Sequence, residues 1–166
     1  MSKPQSISKS RNPLNQNTDP GFILRFILIH VLTYALVGVT AFTVFNYTTN
    51  FKSSEILSSL MRPTDSTIVQ MAIFFQIGRG CLLAIPFVPM KFQLCTAKYG
   101  WLTIFGFLFI LTGIGSVITG PGSIEGMIYT SLPLTVHIGA GFIEITIQML
   151  IFASVIWRWE RKIQGI

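Results

Sequence analysis

The stretch Leu132–Trp157, LPLTVHIGAGFIEITIQMLIFASVIW, decides the fold class. About 26 residues at 1.5 Å rise give a helix of roughly 39 Å, enough to cross a hydrocarbon core of about 30 Å with some tilt. One acid, Glu144, stands near the middle of this run, with His137 before it and Gln148 after it. At about 100° per residue, His137, Gly141, Glu144 and Gln148 fall within an arc of roughly 60°. They form a polar stripe on an otherwise apolar rod. Lipid cannot solvate that stripe, so another part of the chain, or another protein, must.

Composition points the same way. Of 166 residues 51% are hydrophobic and 11% charged, with a mean hydropathy of +0.62. A soluble domain carries about 25% charged residues, so the chain belongs to the membrane class. The net charge of +6 is not a nucleic-acid footprint, because the basic residues sit at the ends of apolar runs. There they set topology and meet anionic headgroups. The expected partners are the lipid bilayer and a membrane protein or a second copy, with no nucleic acid. Cys81 and Cys95 fit no disulfide, CxxC redox or zinc spacing.

The remaining apolar runs give an all-α protein of four membrane-spanning helices, over about 21–47, 66–90, 101–119 and 132–157. Residues 1–20 are polar, contain three prolines and read as a flexible cytoplasmic tail, so the helical domain covers 21–166. Asp19-Pro20 is a helix-start signal. Arg25 lies one turn inside the first span and can snorkel. Between the first two spans, Phe51, Ile56, Leu57, Leu60 and Met61 recur at helical spacing among serines. That pattern predicts a short amphipathic helix lying in the outer interface. The third span carries Gly106, Gly113 and Gly120 at every seventh position. Small residues so spaced let another helix approach closely. Loop charges place both termini in the cytoplasm of a multi-pass cell-membrane protein. The tail, the second loop and the C-terminus hold most of the Lys and Arg, whereas the first and third loops hold Lys52 and Arg62 against Glu55, Asp65 and Glu125.

Counted from the cytoplasmic ends, His30, Arg79 and Gln148 come out at roughly 14–17 Å depth, and Gln76 and Glu144 near 20 Å. Arg79 and Glu144 are then the opposite charges deep within the spans. Each costs at least about 2.5–3.5 kcal/mol at the membrane centre, so an Arg79–Glu144 pair is expected, with the second and fourth helices as neighbours. Gln76, Gln148 and His30 would complete its shell, and His137 would line an outer entrance. Such a cluster serves either as a brace that fixes helix register or as an ion, proton or polar-ligand site. The sequence offers no catalytic residues: it has no HExxH, no nucleotide loop and no nucleophile elbow. His30 and His137, roughly 16 Å apart in depth, do not suit a bis-His haem. No metal or cofactor is expected. The preferred reading is a non-enzymatic accessory or assembly subunit, and the alternative is a small transporter or ligand-binding protein.

Overall fold

The computed structural model describes residues 20–63, 65–118 and 120–166, and is all-helical over them. The expected tail and the Asp19 cap lie outside the described residues. Helix α1 (Pro20–Val44) begins with proline at its first position, where a missing N–H costs nothing. It ends before Asn46, which turns the chain in the left-handed region at φ 46° and ψ 53°. Asn tolerates that region better than most residues. The connection that follows is two short helices, α2 (Tyr47–Ser53) and α3 (Glu55–Leu60), parted at the extended Ser54, where one amphipathic helix was expected.

The second apolar run is broken. A single turn, α4 (Thr67–Gln70), precedes α5 (Ala72–Phe87), whose last turn holds Pro86. Proline removes a backbone donor there, and Pro89 follows, so the chain bends into α6 (Lys91–Thr96). Helix α7 (Gly100–Gly106) starts at a glycine that the α6–α7 turn requires. A Cβ at Gly100 would lie 1.7 Å from the Leu94 carbonyl oxygen. From Phe107 to Ile114 the helix widens to π form, closed by Gly115 N–H donating to Ile110 O at 2.6 Å. Then come α8 (Ile124–Tyr129), capped by Ser123 accepting from Gly126 N–H, the turn α9 (Leu134–His137), and α10 (Ala140–Gln164). Helix α10 stops where Gly165 enters the left-handed region at φ 73° and Ile166 N–H bonds back to Arg161 O.

Two segments, Pro20–Val44 and Leu134–Gln164, are long and apolar enough to cross a membrane. The helices of the second and third runs are shorter, at 16 residues for α5 and 15 over Gly100–Ile114. At 1.5 Å per residue both fall short of about 30 Å.

Helix α1 packs on both α5 and α10, and α10 also packs on α7; α5 and α10 make no comparable contact with each other. Phe26 is the hub, its ring 5.6 Å from that of Phe87 and 4.6 Å from that of Phe152. The opposite face of α1 is a leucine stripe, Leu24, Leu28, Leu32 and Leu36, all exposed. The core sits toward one end, over α1 residues 22–33, α5 residues 76–87 and α10 residues 149–160. Toward the other end, Leu36, Val39, Phe42 and Val44 of α1 and Ile143, Ile145 and Ile147 of α10 face outward.

Candidate functional site

Helix α1 serves as a ruler for the polar side chains. Along it, Arg25 meets Glu160, Phe26 meets Phe152, and Gly38 meets Glu144, so α10 runs antiparallel to α1. Helix α5 is antiparallel as well, with Phe87 beside Phe26 and Gln76 beside His30. Arg79 therefore lies near the level of His30, and Glu144 near that of Gly38, about 12 Å farther along the axis.

The expected Arg79–Glu144 pair is not formed. Arg79 is exposed on α5, and α1 stands between its helix and α10. The depth count failed at its reference end: α10 runs on to Gln164 rather than stopping at Trp157, which puts Glu144 about 30 Å from that end instead of about 20 Å. Glu144 is half-buried and accepts a hydrogen bond from the Tyr47 hydroxyl at 2.5 Å. Gly38 gives it room, since a Cβ there would sit 3.6 Å from Oε1.

The rest of the expected cluster is divided. His30 and Gln76 do come together, with Nε2 and Oε1 3.1 Å apart, both buried between α1 and α5. Gly80 lets those helices close up, because a Cβ on it would stand 3.3 Å from Ile27 Cα and from the His30 ring. Gln148 is half-buried and makes no side-chain hydrogen bond among the described residues. His137 lies apart from all of these. It is 2% exposed, its Nδ1 accepts from Gly122 N–H at 3.2 Å, and its Nε2 has no partner. Gly122 itself is in the left-handed region at φ 88°. The glycines expected to pack helices face open space: nothing lies within 4 Å of a Cβ placed on Gly106 or Gly113, and Gly120 would meet only the nearby Ile118 carbonyl.

The strongest electrostatic site lies elsewhere. Glu160, fully buried in α10, takes Arg25 Nε of α1 on Oε1 at 2.5 Å and has Lys91 Nζ of α6 at 3.3 Å from Oε2. Lys91 also lies over the Phe22 ring, 5.4 Å from its centroid. Beside them is a small cavity of about 10 Å³, lined by Phe22, Phe87, Leu94, Cys95, Trp157 and Glu160 among others. Burial, and the Glu160 carboxylate after it, push the Cys95 thiol up to about 11. Sequence reading passed over Glu160 because it sits inside the basic run WRWERK, which looks like a headgroup anchor. A signal was available. Arg25, one turn inside the first span, needs a counter-charge, and Glu160 is the acid at the matching end of an antiparallel fourth helix.

Among the described residues no three His, Cys, Asp or Glu side chains converge as a metal site requires. Compared with known proteins, the chain matches no family model, no curated protein and no solved structure.

Proposed function

We propose that the protein is an integral membrane protein of four spanning helices, with both termini cytoplasmic, that works as a non-catalytic accessory or assembly subunit. The observation that carries this reading is an open, nearly flat apolar face on α7 and its π-helical continuation, formed by Thr103, Gly106, Phe107, Ile110 and Leu111. Among the described residues nothing lies within 4 Å of a Cβ placed on Gly106, so the close approach that small residues permit is left to another helix. Extended π-helical stretches are rare and concentrate at functional positions, which suits a helix surface shaped for contact. The occupant proposed is an apolar helix of a membrane-embedded partner. The short helices α5 and α7 would complete their spans within 66–90 and 101–119 with the segments that adjoin them there, α4 and the π-helical stretch.

A photo-crosslinking residue at Ile110, in native membranes, should give a discrete heavier adduct that is absent when the same group replaces Leu28 on the α1 stripe. Adducts from neither position, or equally from both, would refute the partner surface. Orientation is tested separately. An impermeant thiol reagent applied to intact cells should label a cysteine at Ser54 and spare one at Thr96.

A second reading, proton or ion handling, draws on Glu144, an acid in an apolar helix with a tyrosine hydroxyl and no counter-charge among the described residues. Proton flux in reconstituted vesicles that vanishes in Glu144→Gln would favour it over the accessory role.

A further inference from the structure

The end of the molecule around Glu160 carries more positive charge than it neutralises. Arg25 and Lys91 are taken up by Glu160. Lys98, Arg158, Arg161 and Lys162 share that end and meet no carboxylate among the described residues. Two of these four are held in place. The Arg161 guanidinium lies 4.8 Å from the centroid of the Trp157 ring, and Lys98 Nζ lies 5.3 Å from that of Tyr99. The two cation–ring pairs are tied to each other, because Trp157 Nε1 donates to the carbonyl oxygen of Ala97, the residue before Lys98, at 3.3 Å. Lys98, Arg158 and Lys162 are all exposed, and the last two lie over no aromatic ring among the described residues.

We propose that Lys98 and Arg161, flanking the Trp157–Ala97 hydrogen bond, seat the phosphate of an anionic phospholipid headgroup. The inference rests on the membrane reading above. Tyr and Trp at the level of the headgroups fix depth, which puts the paired cations in the plane of the lipid phosphates. A guanidinium offers a planar fork that matches a phosphate bidentately, and an ammonium adds a compact second charge. The part-buried Arg161 rests on the part-buried Trp157 ring and so has less side-chain freedom to lose on binding, while Lys98 over Tyr99 adds the second charge. Glu160, the acid that would repel the phosphate, is buried and faces Arg25 and Lys91 instead.

The test uses the three tryptophans, Trp101, Trp157 and Trp159, of which Trp157 packs at the proposed seat. The full chain is reconstituted in vesicles of brominated phosphatidylglycerol mixed with phosphatidylcholine, and separately in brominated phosphatidylcholine. Tryptophan quenching then gives the relative affinity of the two lipids. The anionic lipid should be preferred severalfold, and the preference should shrink as salt rises. Lys98→Gln and Arg161→Gln should each lower it by about fivefold, as expected for one basic residue at an anionic surface. Lys162→Gln, with the same change in net charge, should lower it by less than half as much. Equal losses from Arg161→Gln and Lys162→Gln would reduce the effect to general surface charge and overturn the seat. Equal quenching by both lipids would overturn it too. Failure of any brominated lipid to quench would instead strike the membrane reading itself.

Discussion

Helix α10 carries two acids, and the protein treats them in opposite ways. Glu160 is fully buried and held by Arg25 from α1 and Lys91 from α6. Glu144, four turns earlier, is half-buried and has one tyrosine hydroxyl. The surroundings match the acids. Around Glu160 the helices interlock through Phe26, Phe87 and Phe152; around Glu144 they part, leaving isoleucines and valines facing outward. A buried charge forces the groups around it into one arrangement, because any other leaves a charge unpaired in an apolar setting. A half-exposed acid with a single neutral donor imposes no such demand. The protein therefore has a closed end and an open end. Stability belongs to the first.

The largest effect should come from breaking the closed end. Glu160→Ala removes the buried carboxylate that Arg25 and Lys91 both meet, with 19% and 17% of their side chains exposed. A loss of about 3–5 kcal/mol in detergent unfolding is expected. Replacing the whole triad, Arg25→Met with Lys91→Met and Glu160→Leu, should recover most of it. If Glu160→Ala costs no more than changes near Glu144, the contrast between the ends is false.

At the open end, Tyr47→Phe removes the hydroxyl that Glu144 accepts. The half-buried carboxylate can be rehydrated there, so the same unfolding assay should register about 1 kcal/mol. Smaller still is Gly38→Ala. Its new methyl would meet Glu144 Oε1 at an ordinary contact distance of 3.6 Å, and a change within about 0.5 kcal/mol is expected. A loss of several kcal/mol from either would mean that the open end is a second locked core.

The smallest effect is on reactivity. With its thiol raised from about 9 to about 11, Cys95 stays protonated in the folded protein when the unfolded chain would already ionise. Its contribution to stability is full below about pH 9 and is lost as pH climbs toward about 11. At pH 8 a maleimide should leave the buried Cys95 untouched in the folded protein and modify it once the protein is denatured, as read by mass spectrometry. In Glu160→Ala, Cys95 should begin to react. Rapid labelling of Cys95 in the parent would contradict a closed end.

The all-helical class and the two longest apolar segments were legible because they depend on local composition: an apolar run with few charges has little choice but helix. The His30–Gln76 contact was half-legible, since both were picked as polar residues in apolar runs, though for a different cluster. Arg79–Glu144 misled because it was argued from depths counted off assumed helix ends. A shift of seven residues in where α10 ends, Gln164 rather than Trp157, moves Glu144 by about 10 Å, more than a hydrogen bond can span. The glycine stripe was read as a surface that admits close approach, and among the described residues nothing lies within 4 Å of a Cβ placed on Gly106 or Gly113. The close approach inside this chain, however, is made at Gly80.

What the sequence alone determined was the material: apolar runs that fold as helices, breaks at Pro86, Pro89 and Gly100, and a surplus of positive charge flanking those runs. What only the tertiary structure decided was which charge met which. Pairing depends on the register of antiparallel helices and on which helix stands between the others. Those are set by the packing of Phe26 against Phe87 and Phe152, and by α1 lying between α5 and α10. Side chains distant in sequence become partners only when packing brings them within a few ångströms. No local pattern encodes that distance, which is why Glu160 read as one residue of a basic tail and stands in the structure as the most deeply held charge in the core.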